Sequence, residues 1–198
     1  MDVAVLLFEG FDELDAVAPY EVFQTAAGMG GDLEVSTRPL VPDEGVTARH
    51  GLTVEPDDVL FGTPDLVVVP GGGWNDRESR GVWSEVEDGT LPERLATLHE
   101  GGAVVASVCT GAMLLAEAGL LDGRPATTHE SAKDDLREYD VDVRDERFVD
   151  DGTILTAGGV TAGVDLALHV VERECSPGLA ERVAEEIEYE PRATNTEV

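Results

Sequence analysis

The stretch AVVASVCTGAMLLA, residues 103–116, constrains the fold more than any other. Its first half is a short Val-rich run, which reads as a strand buried on both faces. Cys109 follows at once, and after Thr110-Gly111 an apolar pattern of helical spacing runs to near Gly119. A cysteine between a strand and a helix sits on a sharp turn, like the serine of a nucleophile elbow. Such a turn lifts the sulfur above the carboxyl end of the sheet, where open α/β sheets bind ligands. The helix N-terminus behind it predicts a lowered thiol pKa. The competing reading makes Cys109 a small buried hydrophobe, the usual fate of a free cysteine.

Similar apolar runs punctuate the chain. Val3–Phe8 and Leu66–Val69 read as buried parallel strands, and Leu33–Ser36 and Thr153–Thr156 as further strands. Short strands or a hairpin are expected around Thr47 and Leu52–Val54, and Ala126–His129 reads as one more short strand. Asp151-Gly152 between Phe148–Asp150 and Thr153 is a hairpin turn. Helical spacing covers Leu91–Glu100, the stretch from Gly158 to Val171, and Ser176 to Tyr189, with Ser131 expected to cap a helix from Lys133 to Glu138. Pro19 fits a first helical turn, which would leave Asp15 in the loop just before it. Strands alternating with helices predict a three-layer α/β/α sandwich with a largely parallel sheet, flavodoxin-like, as one domain over residues 1–190 and a tail at 191–198.

Composition narrows the partners. Thirteen basic residues face 42 acidic ones for a net charge of -29, and Lys133 is the one lysine. A phosphate backbone would be repelled, so nucleic acid is not an expected partner. The acidic excess runs along the whole chain and not in a tail, which reads as adaptation to high salt; an ordinary acidic protein is the alternative. No apolar segment is long enough to span a bilayer, and the first residues lack a signal-peptide pattern, so a cytoplasmic location is expected. Two cysteines give no disulfide framework.

Three strand ends carry unusual residues: Asp15 after the first, Pro70-Gly71-Gly72-Gly73 after another, and Cys109-Thr110-Gly111 after a third. Parallel strands would bring these loops to one edge. Cysteine can attack, the amides of Gly72 and Thr110 can stabilise negative charge, and the carboxyl can handle a proton. A carboxylate beside the thiol raises its pKa and helps a thiolate only when itself protonated. Taken singly, Asp15 reads equally as a helix cap and the glycines as a strand terminator. Gly71, Trp74, His129 and Thr161 are further candidates for the pocket, with a structural role as the alternative for His129 and a plain hydrophobic contact for Trp74. His50, His99 and His169 share no ligand spacing, so no metal site is expected.

The order Asp12-Glu13-Leu14-Asp15 … Pro19-Tyr20-Glu21-Val22-Phe23, Pro70-Gly71-Gly72, Ser107-Val108-Cys109-Thr110-Gly111 … Thr127-Thr128-His129 and Thr156-Ala157-Gly158-Gly159-Val160-Thr161-Ala162-Gly163-Val164-Asp165 resembles the ThiJ/PfpI family, within the class I glutamine amidotransferase-like superfamily. Within it, Cys-Thr-Gly paired with Leu-Asp is most similar to isonitrile hydratases and to the amidase-like domains of some transcription regulators. The resemblance implies Cys109 as nucleophile, Asp15 as acid/base and Thr110 as a supporting hydroxyl. It implies an isonitrile converted to an N-substituted formamide without metal or organic cofactor, by a homodimer acting on a small molecule. A glyoxalase or deglycase acting on 2-oxoaldehydes is the alternative reaction, and a ligand-sensing or stress-response protein the alternative class. Thr110 stands where the peptidase-like branch has histidine, Ala18 where the subgroup has glycine, and Glu130 where it has tryptophan, so the substrate's shape stays open.

Overall fold

The computed structural model describes residues 1–192. In chain order the elements are β1 (Asp2–Leu7), α1 (Glu13–Gly28), β2 (Glu34–Pro39), β3 (Val46–Thr47), β4 (Thr53–Val54) and β5 (Leu66–Val69). Then come α2 (Val82–Asp88), α3 (Thr90–Glu100), β6 (Val104–Val108), α4 (Gly111–Glu117), β7 (Pro125–Ala126) and α5 (Lys133–Leu136). The last are β8 (Asp142–Val143), β9 (Phe148–Asp150), β10 (Ile154–Ala157), α6 (Ala162–Glu174) and α7 (Pro177–Glu186). A six-stranded sheet runs in the order β2-β1-β5-β6-β10-β9, parallel except for β9. One helix layer packs α1, α6 and α7 together, and the other packs α2, α3 and α4. This is the α/β sandwich that the alternation of elements predicts.

The apolar runs are strands because both faces are covered. Every residue of β5 and β10 is buried, and Val3 to Leu6 have no exposure at all. In α3, Leu91, Leu95 and Leu98 fall on one stripe and are fully buried, as their spacing requires. The chain leaves β1 for β2 on one side and returns to β5 on the other. The crevice at that reversal, at the carboxyl ends of the strands, is where this topology places ligands.

Several expectations need correction. Asp15 is not in the loop: α1 begins at Glu13, so Asp15 lies in its first turn and Pro19 inside the helix. Asp12 starts the helix early, its carboxylate accepting the Leu14 N–H at 3.3 Å. Pro19 is accommodated because its ring packs toward α6 at Gly163, where a Cβ would stand 3.3 Å from Pro19 Cγ. Ser131 does not cap α5; it lies in a 3-10 turn, Glu130–Ala132, capped by the His129 side chain. Gly158-Gly159 does not open α6, whose first residue is Ala162. Of the expected tail, residues 193–198 lie outside the described residues, and the Arg192 amide bonds Asp165 Oδ1 at 2.9 Å. Among the described residues no helix is long and apolar enough to cross a membrane.

Candidate active site

The elbow is built by backbone contacts. Cys109 has a φ of 58°, a left-handed conformation that side chains other than glycine rarely adopt. Its N–H is shared between the carbonyls of Ala157 (3.1 Å) and Gly158 (2.9 Å), and its own carbonyl accepts the Thr128 hydroxyl at 2.8 Å. Behind it, α4 is pressed onto the end of β5: a Cβ on Gly111 would stand 2.4 Å from the Val69 carbonyl oxygen. Glycine is the one residue that allows this approach.

Asp15 reaches the elbow from α1 and has no exposed surface. Its Oδ2 accepts the Gly71 N–H at 3.2 Å, while Oδ1 has no partner in hydrogen-bond geometry. Burial, and then the charge of Asp12, push its carboxyl up to about 7; contact with Cys109, the Gly71 amide and Arg49 pull it the other way. The Cys109 thiol is pushed up to about 12, by burial first and then by Asp15's charge, against the lowering effect of the Val160 and Thr110 amides. The lowered thiol pKa expected from the helix terminus is therefore not found. Seven residues of helix do not outweigh a buried sulfur beside a carboxylate. The two groups titrate as a pair, and a proton on Asp15 removes the repulsion.

Gly71 fits the space between the two loops. A Cβ there would stand 2.6 Å from the Thr110 nitrogen, 2.7 Å from its Oγ1 and 2.9 Å from Asp15 Oδ2. Gly72 is not the free amide that the sequence suggests, because its N–H donates to Thr110 Oγ1 at 2.9 Å. Thr110 and Val160 stand with Cys109 on the wall of one cavity, and their amides are the backbone groups that lower the thiol's affinity for a proton.

Cys109, Thr110, Gly72, Trp74, His129 and Val160 line a cavity of about 300 Å³, with Asp12 and Arg49 also on its wall. Trp74 is held by a bond from Nε1 to Asp135 and by an edge contact with Trp83, ring centroids 5.1 Å apart. His129 lies across Gly159, and its Nδ1 pairs with Ser131 Oγ at 2.8 Å. Thr161 is not in the cavity lining: it is exposed, and its hydroxyl accepts a bond from Arg147. Glu130, where the resemblance to the isonitrile hydratase subgroup implies tryptophan, is exposed and pairs with Lys133. A larger cavity, about 700 Å³, lies at the other edge of the sheet beside Met1, Gly102 and Cys175, away from the elbow.

Sequence reasoning missed three features. His50 is not isolated: with Asp12 and Glu13 it forms the one group of three or more His, Cys, Asp or Glu residues among the described residues whose ligand atoms lie within 4.8 Å. There Glu13 already accepts both the His50 N–H (2.8 Å) and pairs with the ring Nδ1 (2.7 Å). The Val160 amide was missed because backbone donors leave no side-chain signal; Val160 has a φ of 36°. Arg49 was missed because its hairpin, β3–β4, is remote in sequence from the three strand ends that carry Asp15, Gly71 and Cys109.

Residues 1–173 match the DJ-1/PfpI family. The chain is 32% identical over 193 residues to an isonitrile hydratase of Pseudomonas putida, covering 96% of this chain and 79% of that protein. It is 34% identical to the HTH-type transcriptional regulator CdhR of Pseudomonas aeruginosa, covering 93% of this chain but only 54% of the regulator. Among solved structures, a ThiJ/PfpI family protein from Pseudomonas syringae superposes with a TM-score of 0.84 at 27% identity, covering 97% of this chain and 76% of that one. With fold, elbow and sequence in agreement over most of its length, this chain belongs to the DJ-1/PfpI family.

Proposed function

We propose that this protein is a cysteine-dependent hydratase that converts an isonitrile, R–N≡C, to the N-substituted formamide. The observation that carries this reading is the pairing of Cys109 with Asp15, a buried carboxyl that titrates near neutrality and has one oxygen free. The similarity to the P. putida hydratase supports the choice of reaction.

The thiol proton passes to the Asp15 carboxylate, and sulfur bonds to the terminal isonitrile carbon. Asp15 returns that proton to the same carbon, giving the thioimidate R–N=CH–S–Cys109. Water then adds at carbon, and one of its protons moves to nitrogen. The C–S bond breaks with its electrons going to sulfur, the hydroxyl proton restores the thiol, and R–NH–CHO leaves. The Thr110 hydroxyl, which accepts from Gly72 and keeps its own proton to donate, orients the water. The Thr110 and Val160 amides stabilise charge on sulfur. Trp74 and His129 bound the space for R.

The same reading takes the chain as a single domain over residues 1–190 that works as a homodimer on a small molecule, with its acidic surface adapted to salt. Formamide production from a simple alkyl isocyanide, followed by NMR, tests the activity. Ligand sensing without turnover is the second reading; the thiol pushed up to about 12 favours it. Tight isocyanide binding with no formamide would select it.

A further inference from the structure

Arg147 holds both ends of the segment that carries the Val160 amide. At one end its carbonyl accepts the Gly158 N–H at 2.9 Å. At the other its guanidinium donates to Thr161 Oγ1 at 3.1 Å. The guanidinium itself is fixed from behind. Its Nε pairs with the buried Asp165 of α6, and it donates to the Tyr189 hydroxyl at 3.2 Å, which in turn donates to Asp165 Oδ2 at 2.9 Å. The Arg192 amide closes the ring on Asp165 Oδ1. A planar fork that meets three acceptors at once is a task for arginine and not for lysine.

Between those two ends stands Val160, at a φ of 36°. A β-branched residue does not hold that conformation unless its surroundings impose it. His129 packs against the same segment from the other side, where a Cβ on Gly159 would come within 2.6 Å of its ring.

We infer that Arg147 is a positioning residue for the reaction of Cys109: by bracketing residues 158–161 it keeps the Val160 N–H directed at the sulfur. Thr161 is its anchor on that segment, and Tyr189 and Arg192 extend the tether to the segment that follows α7. The inference rests on Cys109 as the reacting group, but its test does not need the isonitrile.

The test is iodoacetamide labelling of Cys109 in wild type, Arg147→Met and Thr161→Val, with pH profiles. The charged and titratable groups around the sulfur, Asp15 from α1, Asp12 and Arg49 beside it, and His129, are unchanged in all three proteins. Loss of the Val160 donor makes the thiolate harder to form. Labelling at about pH 9 is expected to slow about tenfold in Arg147→Met, equivalent to a rise of one pKa unit, and by a smaller factor in Thr161→Val. Thr161 is exposed, so its variant keeps the fold and carries the test alone if Arg147→Met does not fold. Labelling at the wild-type rate with an unmoved profile in folded Thr161→Val and Arg147→Met, or in Thr161→Val alone if only it folds, overturns the inference. If isonitrile turnover is absent while the labelling shift is present, the hydratase reading fails and the tether stands.

Discussion

Asp15 and Cys109 meet inside the crevice at the carboxyl ends of β1 and β6, where Asp15 raises the thiol's affinity for a proton while contact with Cys109 lowers that of the carboxyl. The carboxyl rises to about 7 and the thiol to about 12, with burial the first cause in both. Between those values the pair holds one proton. That singly protonated form can shift its proton from sulfur to carboxyl and so presents a thiolate beside an acid.

Turnover is therefore expected to rise with pH through about 7 and then hold level, because the fully protonated pair has no base for the thiol. A pH profile of kcat/KM checks this. A profile that falls through the same range would mean that Asp15 must start protonated.

Asp15→Asn separates nucleophile chemistry from proton handling. Removing the carboxylate removes one cause of the raised thiol, so iodoacetamide labels Cys109 faster than in wild type. Turnover falls by about 10²–10⁴, the usual contribution of a placed acid/base.

The same substitution alters stability. Asp15's folded pKa lies above its ordinary value of 3.8, so the folded state holds its proton more tightly than the unfolded chain. Its contribution is fully present below about pH 4 and is lost as pH rises through about 7, a change of up to roughly 4 kcal/mol. Urea melts of Asp15→Asn across that window should show a flatter dependence and a relative gain above pH 7.

Gly71→Ala and Gly28→Ala form a matched pair. The first drives a methyl into Thr110 and Asp15; the second meets nothing within 4 Å at the end of α1. Gly71→Ala should cost at least about tenfold in kcat/KM, since small displacements of a placed group are costly. Gly28→Ala should leave turnover unchanged and gain about 0.5–1 kcal/mol.

A net charge of -29 makes self-repulsion large at low ionic strength. The melting temperature should climb on moving from dilute buffer to about 2 M KCl, where the screening length is only a few ångströms. An equal concentration of neutral sucrose separates general solute exclusion from screening.

The buried strands were legible because an apolar run in an α/β chain has one destination, and the cysteine elbow was legible because strand, cysteine and small residues adjoin in sequence. Asp15 does reach the elbow, but from inside its helix and not from the loop before it. Proline is a good marker of a first turn only when packing does not favour one elsewhere, and here Pro19 packs toward Gly163. The Gly72 amide, the Thr161 hydroxyl and the thiol's pKa were misread for a common reason. Each depends on tertiary surroundings: Thr110 arriving at Gly72, Arg147 arriving at Thr161, and at Cys109 the depth of burial first and the charge of Asp15 second. Residue type does not encode such meetings.

The most direct measurement is formamide production from an alkyl isocyanide by wild type and Cys109→Ala, with methylglyoxal as the parallel substrate, in about 2 M KCl. Formamide from wild type and none from the variant is the predicted result. Formamide at equal rates from both, or lactate from methylglyoxal with no formamide, would contradict a cysteine-dependent hydratase.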